Sequence, residues 1–237
     1  MTPSRISITG ICCILFSTEH SFASVIFSNA SVENFTRAFV VNGSDDFRSF
    51  SLAAAGSQSW SGDSISNGAG IASATTAFDT VLAPSEIRLA GMGSMNFSPE
   101  SFGAAGLSDF LSTHFTVDEE LEYGFGLSGT LSQTGGGLVT GELRLIENFT
   151  QVVSLAVSSS SQSVSTTRIL TPGRNYQLVM EWRAEALSTG PFPGTASNPG
   201  TANFEGAQAR MFIVPEPNIT WLLCFSGGIS ATLRRRR

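Results

Sequence analysis

Tyr176-Gln177-Leu178-Val179-Met180-Glu181-Trp182-Arg183 decides the fold. Tyr176, Leu178, Met180 and Trp182 fall at every second position, against Gln177, Val179, Glu181 and Arg183. A two-residue period puts one side of a strand in a core and turns the other outward, whereas a helix needs spacings of three and four. Leu121, Tyr123, Phe125 and Leu127 repeat the pattern, against Glu122, Gly124 and Gly126. So do Leu143 and Leu145 against Glu142 and Arg144, and Leu111, Phe115 and Val117 against Ser112, His114 and Thr116.

Working outward, further strand-like runs cover 24–27, 36–41, 47–53, 78–82, 86–90, 151–157, 164–170 and 202–214. Turn chemistry separates them: Asn42-Gly43, Pro84, Gly135-Gly136-Gly137 and Pro172-Gly173. Residues 57–76, rich in Gly, Ser and Ala, are expected to form a long loop, and 188–201 another. The serine run 158–161 is expected to cross between sheets. No internal repeat stands out at a fixed period. The expectation is an all-β fold, an antiparallel two-sheet β-sandwich, jelly-roll-like, over residues 24–213. Its inward faces should carry Phe115, Val117, Tyr123, Phe125, Leu143, Leu145, Leu178, Met180 and Trp182.

Composition supports this. The chain has 237 residues, 24 glycines and no lysine, a loop-rich β balance. Its three cysteines, Cys12, Cys13 and Cys224, all lie near the ends, so the middle has neither a disulfide framework nor a thiol metal site. Residues 24–217 hold 18 acids against 8 arginines, a net charge of about −10. Such a surface repels nucleic acid and anionic lipid.

The C-terminus has a different character. Val214-Pro215-Glu216-Pro217 is followed by an uncharged run from Ile219 to Leu233, and then by Arg234, Arg235, Arg236 and Arg237. The prolines stop helix and strand alike and keep the segment accessible. As a helix the run rises roughly 22 Å, short of a hydrocarbon core of roughly 30 Å. Trp221 at one interface and snorkelling arginines at the other narrow the gap, and the arginines should stay cytoplasmic. This three-part order resembles the PEP-CTERM sorting domain of Gram-negative bacteria. The resemblance covers residues 214–237, about a tenth of the chain. It implies that Pro215, Glu216 and Pro217 are recognised by an exosortase, a membrane processing enzyme. It implies further that Ile219 to Leu233 anchor the chain transiently in the inner membrane and that the four arginines set topology.

The N-terminus agrees. Arg5, an apolar stretch from Ile6 to Phe16 and the triplet Ser21-Phe22-Ala23 read as a secretory signal peptide over 1–23, cut after Ala23.

Little else points to chemistry. His114, the one histidine outside the signal, has no Gly-x-Ser-x-Gly elbow with it and too few partners for zinc. Asp118, Glu119, Glu120 and Glu122 read as a solvated turn or a calcium loop, and so does Asn42-Gly43-Ser44-Asp45-Asp46. Trp60, Tyr123, Tyr176 and Trp182 are candidates for stacking on sugars, with Trp60 expected in a loop. No catalytic, cofactor or metal residue is assigned. The expectation is a non-enzymatic, exported cell-surface or matrix protein associated with exopolysaccharide or biofilm. A carbohydrate-binding module is the alternative, and a secreted hydrolase a third reading.

Overall fold

The computed structural model describes residues 25–40, 45–52, 56–68, 70–99, 103–160, 162–187 and 199–214. These form twelve strands: β1 (Val25–Val40), β2 (Asp45–Leu52), β3 (Gly56–Gly68), β4 (Gly70–Ala83), β5 (Glu86–Pro99) and β6 (Gly103–Val117) in the first half. The second half contributes β7 (Leu121–Gly135), β8 (Gly137–Glu147), β9 (Thr150–Ser158), β10 (Gln162–Leu170), β11 (Tyr176–Leu187) and β12 (Gly200–Ile213). They make two six-stranded antiparallel sheets, ordered β2-β1-β6-β11-β8-β9 and β10-β7-β12-β5-β4-β3. The strands pack as a β-sandwich.

From β5 onward the pairing is nested: β5 with β12, β6 with β11, β7 with β10, β8 with β9. The chain therefore behaves as one long folded-over ribbon wrapped around the core. The serine run does cross between sheets, since β9 lies in one and β10 in the other.

Every expected inward residue is buried, from Phe125, Leu143, Leu145, Leu178, Met180 and Trp182 at 0% exposure to Val117 at 2%. Two expectations need correction. Residues 57–76 are not a loop: β3 and β4 pair continuously from Gly56 with Leu82 to Gly68 with Gly70. Their core positions are small, Ala72, Ala74 and Thr76 ahead of Phe78, so the two-residue alternation carries little hydrophobic contrast. Likewise the described parts of the runs expected at 24–27 and 36–41, residues 25–27 and 36–40, belong to one strand, β1, carried through a register shift between Phe27 and Asn29.

Aromatic contacts join the two sheets. Trp182 of β11 meets Phe204 of β12 at 5.8 Å between ring centroids, and Phe204 meets Phe78 of β4 at 6.0 Å. Burying one such ring contributes about 1.5–3 kcal/mol, and aromatic pairs add about 0.5–1.5 kcal/mol more. Gly141 makes room for the indole: a Cβ there would lie 2.3 Å from the Trp182 ring.

A polar tie also crosses the core. Asn34 Nδ2 donates to Asp109 Oδ1 at 2.6 Å within one sheet, and Thr76 Oγ1 of the facing sheet lies 2.9 Å from Asp109 Oδ2. All three side chains are buried. Burial pushes the Asp109 carboxyl well above its ordinary range, and the bonds to Asn34 and Thr76 only partly oppose it. The hydroxyl of Thr76 also lies 3.2 Å from Met92 O. One hydroxyl proton cannot serve two acceptors at once. A neutral Asp109 resolves this by donating to Thr76, which donates to Met92 O.

Trp182→Asp should give no cooperative unfolding transition, and Gly141→Ala should cost about 1–3 kcal/mol through overpacking, both measured by urea titration. Asp109 binds its proton more tightly folded than unfolded. Its contribution to stability is therefore complete below the ordinary carboxylate range and is lost as pH rises towards the folded value. The slope is about 1.4 kcal/mol per pH unit. Asp109→Asn keeps both hydrogen bonds without a titrating proton. Its stability relative to the parent should rise with pH above 4, and a gap that stays flat with pH would show that Asp109 is ionised in the fold.

Candidate functional site

The best-formed concavity lies on the outer side of the sheet that contains β4, β5 and β12. One part, of about 480 Å³, is lined by Thr75, Met92, Ser94, Asn203 and Glu205 among others. A second, of about 400 Å³, continues past the shared Ala77 and Met92 to Ser59, Asp79 and Gly91. Strand alternation puts these side chains outward while Ala74, Thr76 and Phe78 turn into the core. The wall at one end comes from a bulge in β12, where the register with β5 slips between Phe204 and Ala207. Gly206 takes a left-handed φ of 55° there, and Glu205 is exposed.

Beneath the groove, Gly93 faces the core: a Cβ at that position would come within 2.5 Å of the Phe204 ring, so the strand stays bare where it crosses the core aromatic. Hydrogen bonds order the polar lining. Ser94 Oγ donates to Asn203 Oδ1 at 2.7 Å, and Asn203 Nδ2 reaches Ser132 Oγ at 3.4 Å. Ser59 Oγ donates to Asp79 Oδ1 at 2.5 Å, and the Thr134 and Thr201 hydroxyls pair at 2.9 Å. Thr76 connects this surface to the buried Asp109 below. Hydroxyls, an amide and two carboxylates, interrupted by the exposed Met92, offer donors and acceptors to a polar, uncharged ligand.

The second notable region is one end of the sandwich. Val25 opens β1 beside Val117, and its N–H donates to Pro84 O at 2.9 Å, so the turn between β4 and β5 sits at the same end. The turn at 118–120, the Asn148-Phe149 turn between β8 and β9, and the turn at 171–175 close the strands there. The chain leaves the body at this end: Ile213 N–H donates to Ser85 O, and Val214 N–H donates to Glu122 O at 3.0 Å. Asn148 and Phe149 have φ of 47° and 65°. Both central positions of a two-residue hairpin turn are thus left-handed, a geometry that favours Gly at the second. Phe in that conformation costs roughly 1–2 kcal/mol, yet the ring is fully exposed. The adjoining ladder is firm, because Glu147 accepts ion pairs from Arg168 and Arg174. That partnership raises the Arg174 guanidinium further above its ordinary value.

The sequence-derived candidates fall in different places. Ala23, Pro215, Glu216, Pro217, the run Ile219 to Leu233 and Arg234 to Arg237 lie outside the described residues, as do Asn42, Gly43 and Ser44. Asp45 opens β2, and Asp46 pairs with Arg48 at 3.1 Å. Asp118, Glu119 and Glu120 are exposed in the turn between β6 and β7, and Glu122 is exposed on β7. Among the described residues no group of three His, Cys, Asp or Glu side chains is arranged to hold a metal. His114 is exposed on the outer side of the other sheet, opposite Asn29 and Gln177, and is not part of the groove.

Of the four aromatic candidates, Tyr123, Tyr176 and Trp182 are buried. Burial, with Asp118 and Glu119 adding repulsion, pushes the Tyr123 hydroxyl up to about 12. Trp60, expected in a loop, is half-buried in β3 instead. It pairs with the buried Phe78 on an edge strand and lines the second part of the groove together with Ser59 and Asp79. Sequence reasoning singled out Trp60 but missed the rest of the groove, because its residues come from four strands and none of the others is distinctive alone. It missed Phe149 because Phe is not a turn former; Asn148 was the one available signal.

No family model matches the chain, and no curated protein does. Two solved structures are similar in part. One is TmCBM61 in complex with beta-1,4-galactotriose, with 11% identity over 52% of this chain and 71% of that one, and a TM-score of 0.27. The other is the enzymatically active domain of bacteriophage CBA120 tailspike protein 4, with 7% identity over 67% of this chain and a TM-score of 0.26. The chain spans about 19% of the tailspike's length.

Proposed function

We propose that this chain is an exported, non-enzymatic surface or matrix protein, processed through its C-terminal sorting signal and displayed or released beside exopolysaccharide or biofilm. One observation carries the reading. β12 runs to Ile213, Val214 is still bonded to Glu122, and Pro215-Glu216-Pro217 follows at once. A cut in that motif therefore breaks none of the strand pairings on the page. At the other end, removal of residues 1–23 after Ala23 leaves one residue before β1. In this reading an exosortase-type enzyme is the processing partner. Ile219 to Leu233 form the transient anchor, and Arg234 to Arg237 hold the cytoplasmic side. The nested pairing of β5 to β12 supports a jelly-roll description of the body.

Tagged chain expressed with and without an exosortase-type enzyme tests the proposal: the tail should be lost only when the enzyme is present. Equal loss in both strains would count against it. The processed body should unfold within about 0.5 kcal/mol of the unprocessed chain.

The groove favours a second reading, a carbohydrate-binding surface. Its ordered Ser94–Asn203–Ser132 chain presents the neutral donors and acceptors that a polyhydroxylated ligand needs. Asn203→Ala should then lower glycan affinity about tenfold, the loss of roughly 1.4 kcal/mol of hydrogen bonding. On a glycan array, a ligand held equally well by that variant would lie elsewhere.

A further inference from the structure

The geometry points to the end of the sandwich that bears Phe149 as a bilayer-contacting surface, which holds the sorting motif at the height of the membrane. This rests on the anchoring tail proposed above. Four residues, Pro215 to Asn218, separate Val214 from Ile219. Fully extended, five steps of at most about 3.6 Å reach roughly 18 Å. With Ile219 to Leu233 in the bilayer, this short tether keeps the end from which Val214 emerges beside the lipid, and the side chains at that end decide whether it makes contact.

That end is built for such contact. Phe149 is fully exposed, and Ile26 and Ile169, at 54% and 60% exposure, lie near the same end on β1 and β10. Three of the seven exposed large apolar side chains among the described residues are therefore gathered here. An aromatic ring held out on a left-handed turn position, where Gly would relax the backbone, is an arrangement kept against its conformational cost. Phe at a bilayer interface buries its apolar surface in the headgroup and acyl boundary. Asp118, Glu119, Glu120 and Glu122 share this end and disfavour anionic headgroups, so the matching surface is a zwitterionic one.

The test uses the full chain reconstituted in phosphatidylcholine vesicles that contain a headgroup-proximal spin-labelled lipid. On a Trp60→Phe background, Trp221 of the chain unsubstituted at Phe149 reports the anchor, the remaining Trp182 being buried in the core. Phe149→Trp reports the tip as added emission. We expect that emission to be blue-shifted and quenched. If the unsubstituted chain shows no quenching of Trp221, the anchoring reading fails and this inference with it. If Trp221 is quenched while the Phe149→Trp emission stays red-shifted and unquenched, the inference alone is overturned. Quenching that appears only with a co-reconstituted processing enzyme would assign the tip to that protein and also overturn it. Phe149→Gly supplies the control. It should raise the unfolding midpoint by relaxing the turn, yet abolish the quenching of a second reporter, Ile169→Trp. Undiminished quenching of that reporter would reduce Phe149 to a strained turn and overturn the inference.

Discussion

Phe204 carries the contact on which the two sheets depend. From β12 it reaches Trp182 across the core and Phe78 along its own sheet, and it covers Gly93. The middle of the chain has no cysteine to cross-link, so the sandwich must hold by burial and by the few polar ties that burial tolerates. The Asn34–Asp109–Thr76 bridge is one of these. Burial there raises the carboxyl's hold on its proton and favours the neutral form, in which each hydrogen bond has one proton. The same contact leaves no room for a side chain at Gly93, on the inner side of a strand whose outer side bears the groove.

Position within the sandwich keeps the two candidate surfaces apart. The polar groove lies on the broad outer side of one sheet, made from β3, β4, β5 and β12. The exit of the chain lies at the end where β12 finishes, with Phe149 and the acidic turn around it. A ligand on the sheet and a membrane at the end would not compete for space. A body held by its end against a bilayer would still present its side to polymers outside.

Much of the core was legible in the residues. Alternation at 121–127 and 176–183 identified inward side chains because large apolar and polar residues contrast strongly there. It failed at 57–76 because Ala72, Ala74 and Thr76 fill core positions with side chains too small to register against Ser and Gly neighbours. Trp60 was misplaced for the same reason, since no pattern around it marked a strand. The buried Asp109 was unreadable: nothing local distinguishes a carboxylate facing the core from one facing water, and its partners lie 75 and 33 positions away.

The sequence by itself determined the strand class and the inward faces, because side-chain period and local composition express these within a few residues. Tertiary structure alone decided the strand order, the buried carboxyl between the sheets, the groove and the gathering of Phe149, Ile26 and Ile169 at the chain's exit. Each of those depends on residues far apart in the chain meeting in space, and only the packing of one sheet against the other specifies which of them meet.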